Sequence, residues 1–190
     1  ESLKISKEFI KPDSGKPASV ALGLFDGVHI GHREVLGKAL ENSAYSPCVF
    51  TYTISDSVPQ NKKDYVALTL DNQKCGILAQ MGFELTVMPD FKNFKDLEPE
   101  EFVEKMLIEK MGAKELSCGY DFTFGKQGKG TTEQLKEIAQ KHGVTVNIVS
   151  PIRMEGEAVS STRIRKAILQ GEMDKASKML GRRFSICLKV

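Results

Sequence analysis

Two kinds of hydrophobic pattern follow one another along this chain. Five short apolar runs predict strands buried in a sheet, at residues 19–25, 48–52, 84–88, 115–119 and 144–149. The segments between them carry apolar side chains at helical spacing and predict helices with one buried face, at residues 33–40, 71–81, 99–111 and 131–141. Such alternation predicts an α/β fold, a doubly wound parallel sheet with helices on both faces. Two further helices are predicted at residues 161–170 and 172–180, as a short helical C-terminal segment.

The turn at residues 23–32 and the glycine-rich loop at residues 119–130 each follow a predicted strand. Because ligands of such sheets bind beyond the carboxyl ends of the strands, we expect both segments at one edge. The polar stretch at residues 55–64 predicts a long loop, either a ligand lid or a simple connection.

Composition is that of a folded globular protein. The 190 residues are 41% hydrophobic and 27% charged, and no apolar run is long enough for a membrane span. The four cysteines are widely separated, without a C-x-x-C pair, which favours buried reduced thiols and a cytoplasmic protein.

Charge is unevenly distributed. The net charge is +2, but residues 160–190 hold eight Lys and Arg against two acidic residues. This basic end contains no run of adjacent cations with interleaved aromatic residues, so we expect no nucleic-acid partner. A small phosphorylated ligand or a solvated helix face explains the basic C-terminal residues better than nucleic acid does.

The first candidate for chemistry is the turn at residues 23–32. Gly27 and Gly31 would let backbone N–H groups approach an anion at the start of the next helix. If that helix begins near Ile30, the rings of His29 and His32 fall on one side of its first turn. The turn therefore predicts a nucleotide phosphate site, and the alternative is a pair of helix-start histidines without a function.

The second candidate is the segment at residues 160–165. Ser160 or Ser161 could simply cap a helix. With Thr162 and Arg165, however, the same helix start combines hydroxyl, amide and guanidinium donors suited to phosphate oxygens. For the loop at residues 119–130, a ligand contact and an ordinary glycine-rich turn both stay open.

Taken together, these motifs resemble those of the adenylyl-transferring nucleotidyltransferases. The chain is similar, in order, to the FMN adenylyltransferase module of the bacterial riboflavin kinase/FAD synthetase family at five groups of residues. These are Gly23, Phe25, Asp26, Gly27, His29, Gly31 and His32; Leu68, Thr69 and Lys74; Gly119, Asp121, Phe122, Phe124 and Gly125; Ser160, Ser161, Thr162, Ile164 and Arg165; and Leu180, Gly181 and Arg182.

The resemblance implies a Rossmann-like enzyme that transfers AMP from ATP to FMN, giving FAD and pyrophosphate. It assigns the catalytic role to His29, His32 and Arg165, with Ser161 and Thr162 on the β- and γ-phosphates. Gly23, Phe25, Asp26, Gly27 and Gly31 would form the nucleotide cleft, and Asp121 and Phe122 the flavin side. Mg²⁺ would arrive with the nucleotide, without a metal site made by the protein itself.

Three departures from the family pattern qualify this expectation. The proline-containing segment expected after Tyr52 is not reproduced, and Ala158 stands where a basic residue is frequent. The third departure is the kinase barrel, which in the family follows the Leu-Gly-Arg segment and is not expected in this sequence.

Residues 1–181 are expected to form the nucleotidyltransferase domain, and residues 182–190 a strand-like stub where the family's kinase barrel would follow. Two alternatives are adenylylation of another small phosphorylated acceptor and a flavin- or nucleotide-binding regulatory module without turnover. Oligomeric state is not predicted.

Overall fold

A computed structural model of the protein describes residues 3–53 and 66–185. Within them, six parallel strands form one sheet with the order β1-β4-β3-β2-β5-β6. The strands are β1 (Lys4–Ser6), β2 (Ala18–Leu22), β3 (Ser46–Phe50), β4 (Leu85–Val87), β5 (Ala113–Gly119) and β6 (Thr145–Val149). A separate antiparallel hairpin pairs β7 (Arg153–Met154) with β8 (Glu157–Ala158).

The helices begin and end close to their predicted positions. Within the described residues they are α1 (Ile30–Leu40), α2 (Asp71–Met81), α3 (Pro99–Glu101), which continues as a π-helix over Phe102–Lys110, α4 (Thr132–Lys141), α5 (Ser161–Leu169) and α6 (Met173–Leu180). The predicted α/β class, a parallel sheet with helices on both faces, is confirmed. The central strand β2 was clear in the sequence as a near-continuous apolar run, because every one of its residues is buried.

Alternate residues of β2 separate the two layers of the core. Val20 and Leu22 face the cluster that contains Phe102, Leu107 and residues of α4. Ala21 faces the other cluster, formed by residues of α1 and α2. Helices α5 and α6 pack in a third cluster of their own. Strand β3 follows β2 along the chain and pairs with one edge of β2, whereas β5 pairs with the other edge. The strand order therefore reverses at β2, and a crevice opens at its carboxyl end.

Several details differ from the predictions. The first strand extends only to Leu22, since Phe25 leaves the sheet with φ +53°. Strand β1 and the β7–β8 hairpin are too short to give a periodic signal. Residues 182–185 form no strand, and residues 186–190 lie outside the described residues, as does the predicted loop at residues 55–64.

The described cysteines are buried and free, as predicted. These are Cys48, Cys75 and Cys118, and burial raises the pKa of Cys48 and Cys118 to about 12. Cys187 lies outside the described residues. No helix within residues 3–53 and 66–185 is long and apolar enough to cross a bilayer.

Candidate active site

The turn after β2 is held in place by contacts with distant parts of the chain. Gly27 has φ +85°, a conformation that disfavours any residue with a side chain. Its N–H donates to Thr69 Oγ1 at 3.1 Å, and its carbonyl accepts from Arg182 Nη1 at 2.7 Å. The Gly27 amide expected to approach an anion is therefore engaged by Thr69 in this structure.

His29 and His32 form a stacked pair at the start of α1. His29 caps the helix, because its Nδ1 accepts the backbone N–H of His32 at 3.2 Å. The ring centroids lie 3.5 Å apart and the ring planes differ by 18°. Helix α1 begins at Ile30, so the predicted start and the predicted meeting of the two rings are confirmed.

Both imidazoles are neutral at pH 7. Burial lowers the pKa of His29 to about 4, against the opposing charge of Asp26. Burial, the adjacent His29 and the charge of Lys74 hold the pKa of His32 well below its ordinary value. Because Nδ1 of His29 accepts a hydrogen bond, the single proton of the neutral ring belongs on Nε2, which becomes a donor.

Asp26 joins three segments beside this pair. The residue is 4% exposed, and Oδ1 accepts the backbone N–H groups of Leu68 at 2.8 Å and Thr69 at 3.2 Å. Its Oδ2 forms a hydrogen-bonded ion pair with Arg165 of α5. Its backbone carbonyl accepts from Ser161 Oγ at 2.8 Å. Asp26 thereby fixes the start of α5 against the turn after β2.

The early and late motifs border one cavity of about 290 Å³. His29, Gly31 and His32 form one wall, and Ser161 and Thr162 at the N-terminus of α5 form another. Asp121 lies on the same cavity, from the loop after β5. The cavity thus collects residues from the carboxyl edge of the sheet and from the start of α5.

Arg165 is placed differently from its neighbours. Its guanidinium donates through Nε to the carbonyl of Val66 at 2.7 Å and through Nη2 to Asp26. It does not border the histidine-lined cavity. The fork expected to hold phosphate oxygens is therefore occupied by a carboxylate and a carbonyl in this structure.

A second cavity, of about 140 Å³, is walled by aromatic rings. Phe122 and Phe124 stack with ring centroids 5.8 Å apart and ring planes 17° apart. Further rings complete the wall, from Phe50, Tyr52, Phe91, Phe94 and Phe102. The loop at residues 119–130 thus places Phe122 here but Asp121 on the histidine-lined cavity.

Gly23 and Phe25 border neither cavity. Phe25 is 2% exposed and packs in the core beneath the site, with its ring edge-on to His32 at 5.4 Å. A Cβ at Gly23 would lie 3.0 Å from the Phe25 ring. Both residues support the turn from below.

Comparison with known proteins identifies the family. The FAD synthetase family model matches residues 11–163, which is most of the chain. The chain belongs to the FAD synthetase family. A bifunctional riboflavin kinase/FMN adenylyltransferase of Listeria monocytogenes is 31% identical over 85% of this chain, and the corresponding protein of Buchnera aphidicola is 30% identical over 91%. A protein named FAD synthetase from Listeria monocytogenes is 28% identical over 94% of the chain.

The chain spans about half the length of the bifunctional relatives, 53% and 57% for the two named above, and 75% of the Listeria FAD synthetase. A crystal structure described as a macrolide-efflux protein from Streptococcus pneumoniae superposes with a TM-score of 0.82 at 30% identity. It covers 97% of this chain and 61% of its own. A pantoate–beta-alanine ligase from Francisella tularensis shares the fold, with a TM-score of 0.57 at 14% identity over 95% of this chain and 85% of its own.

One residue singled out from the sequence falls on the site itself. Ala158, where the resemblance led us to expect a basic residue, borders the histidine-lined cavity with a methyl group.

The structure also adds residues that sequence reasoning left without a role. Lys74 lies buried on α2, Arg182 donates to the Gly27 carbonyl, and the Thr51 hydroxyl donates to the Leu24 carbonyl at 2.8 Å. Lys74 had a detectable signal, since it stands four residues before the buried Leu78, on the apolar face of its helix.

Proposed function

We propose that this chain transfers the adenylyl group of ATP to FMN, giving FAD and pyrophosphate. The observation that carries the proposal is the cavity shared by His29 and His32 with Ser161 and Thr162. A triphosphate needs donors directed at several phosphate groups at once, and two helix N-termini with their side chains meet at this cavity. Membership of the FAD synthetase family supports the choice of ATP and FMN as substrates.

Each donor has a proposed task. The Nε2–H of His29 and the His32 ring donate to ATP phosphate oxygens, where negative charge increases in the transition state. Ser161 and Thr162 contact the β- and γ-phosphates and the departing pyrophosphate. Arg165 takes part in the same contacts once a polyanion draws its guanidinium from Asp26. Gly23, Phe25, Asp26, Gly27 and Gly31 hold the turn around the nucleotide.

The reaction needs positioning and charge stabilisation more than proton transfer. An oxygen of the FMN phosphate attacks the α-phosphorus, the bond from that phosphorus to the bridging oxygen breaks, and pyrophosphate leaves with the electron pair. A phosphate monoester has its second pKa near ~6 and is largely dianionic at pH 7, so it needs no strong base. Neutral imidazoles suit this chemistry, because each still donates a hydrogen bond through its N–H and the dianionic nucleophile carries no proton that a base would have to remove.

The aromatic cavity supports the flavin side of the proposal. Phe122 is half-buried and Phe124 behind it in sequence is buried, so Phe122 is the ring of this stacked pair that can stack on an isoalloxazine ring. Asp121, next to Phe122, borders the histidine-lined cavity, so the loop after β5 connects the two proposed substrate sites.

Magnesium enters with the nucleotide. The Asp121 carboxylate and the Thr162 hydroxyl are oxygen donors on the cavity wall, which fits an ion held mainly by phosphate oxygens and water. Bound there, Mg²⁺ would supply charge neutralisation to the phosphates.

The proposal includes the location of the protein, the class of its partners and the bounds of its domain. The buried free thiols support a cytoplasmic location. The ion pairs of Arg163 with Glu155 and of Arg165 with Asp26 partly neutralise the basic end, which supports small-molecule partners over nucleic acid. Residues 1–181 are proposed as the adenylyltransferase domain.

Pyrophosphate release from ATP and Mg²⁺, measured with and without FMN, tests the proposal. We expect release only with FMN, together with FAD identified by mass. A panel of other phosphomonoesters tests the alternative acceptors, and FMN-independent or absent release contradicts the proposal. Ligand binding without release would indicate the regulatory module.

A further inference from the structure

Lys74 is buried beside the site but has no part in the mechanism above. Its exposed fraction is 3%, and among the Lys and Arg residues in the described parts of the chain it alone is buried. It extends from α2 toward the carboxyl ends of β2 and β3, where Nζ donates to the Leu24 carbonyl at 3.2 Å and to Thr51 Oγ1 at 3.3 Å. An ammonium removed from water in this way is unfavourable unless nearby groups compensate its charge.

The compensation within the described residues is incomplete. Its ion-pair partner, Asp71, holds Oδ1 at 3.6 Å from Nζ, which is a long contact, and the Asp71 side chain is 51% exposed. Asp26 also attracts the ammonium, but its Oδ2 is already paired with Arg165. Burial accordingly lowers the pKa of Lys74. Two of the three ammonium protons have neutral acceptors, and the one carboxylate among the described residues that forms an ion pair with Nζ, Asp71, is half exposed, so an incoming anion can take its place while Asp71 turns to solvent.

The position of Lys74 connects the two proposed substrate sites. Lys74 borders a cavity of about 160 Å³ together with Asp26, Thr69 and Tyr52. Tyr52 also forms part of the aromatic cavity, and the charge of Lys74 reaches His32, whose pKa it lowers. A cation between a flavin site and the imidazole pair stands where an acceptor phosphate must approach the α-phosphate of ATP.

We propose that the ammonium of Lys74 binds the phosphate of the acceptor and thereby selects FMN over riboflavin. The inference rests on the proposed function and adds a residue to it. Lys74 keeps its proton throughout: an acceptor oxygen forms the bond to the α-phosphorus, and the electron pair of the broken bond leaves with pyrophosphate. Its charge reduces the repulsion between the two phosphates as they approach.

The test compares K74M with K95M. Lys95 is the matched control because it borders the aromatic cavity and is the competing cation for the same phosphate; it is 45% exposed and pairs with Asp96 at 3.1 Å. For the wild type and each variant, quenching of flavin fluorescence gives the Kd of FMN and of riboflavin, and steady-state assays give KM for ATP. Riboflavin carries no phosphate, so its binding reports an intact aromatic cavity.

We expect K74M to weaken FMN binding about tenfold or more, as for the loss of a charge-assisted hydrogen bond, with riboflavin binding and KM for ATP unchanged. K95M should keep the preference for FMN. The inference is overturned if K74M keeps the preference, if K95M loses it instead, or if K74M changes only KM for ATP. If K74M fails to bind riboflavin, K74Q is measured in the same way and decides by the same criteria.

Failure of the broader proposal is seen separately. Wild-type protein that forms no FAD contradicts the proposed function, whatever the variants do. Wild-type protein that forms FAD but binds riboflavin as tightly as FMN contradicts only the role of Lys74.

Discussion

Replacing Asp26 by alanine tests whether one buried carboxylate holds the site together. The change removes the acceptor of two backbone N–H groups and the partner of Arg165, whose side chain is 21% exposed. Breaking a buried ion pair by removing one partner costs about 3–5 kcal/mol. Because Arg165 keeps some contact with solvent, we expect the lower end, about 3 kcal/mol, which corresponds to a fall in Tm of roughly 6–12 °C for a chain of this size.

The free energy of unfolding is measured by urea titration followed by circular dichroism. Asp26→Asn keeps an oxygen that accepts an N–H group and removes only the charge, so we expect a smaller loss. Asp13→Ala is the control: its ion pair with Lys4 is exposed, and its loss should cost less than about 1 kcal/mol.

A double-mutant cycle with Arg165→Met isolates the pair itself. If the double variant loses as much stability as the two single changes added together, the side chains are not coupled. That result, or an Asp26→Ala variant within about 1 kcal/mol of the wild type, refutes the reasoning.

Three further predictions concern the imidazoles and Arg165. His32→Ala should lower the rate of FAD formation much more than the free energy of unfolding, since the ring acts mainly in the transition state; equal turnover would refute its role. Arg165→Lys should raise KM for ATP, because an ammonium cannot form a bidentate fork with phosphate oxygens, and an unchanged KM would exclude bidentate phosphate binding by Arg165. The pKa of His29 is about 4 in the folded protein, below its unfolded value of 6.5. The neutral ring therefore contributes its full share to the free energy of unfolding above pH 6.5, and this share is lost as pH falls toward 4 because the unfolded chain binds the proton first. Over that range wild type should lose about 3 kcal/mol of stability more than His29→Asn, which keeps a capping oxygen; parallel pH profiles in urea titrations would contradict this.

The sequence alone determined the architecture and the first element of the site. Its strands and helices could be predicted because each buries a continuous apolar run or stripe, as β2 and α4 do. The pairing of His29 with His32 followed from local geometry, since the two residues share the first turn of one helix. Parallel topology then indicated that the motifs after β2 and β5 would open at one edge of the sheet.

Only the tertiary structure decided how those motifs are connected. The pairing of Asp26 with Arg165 spans 139 positions, and no periodic pattern links residues so far apart in sequence. The structure likewise separated Asp121 from Phe122, placed Phe25 in the core, and buried Lys74 beneath the turn. Burial and long-range charge depend on which segments fold against each other, and a local pattern reports only which residues could be buried.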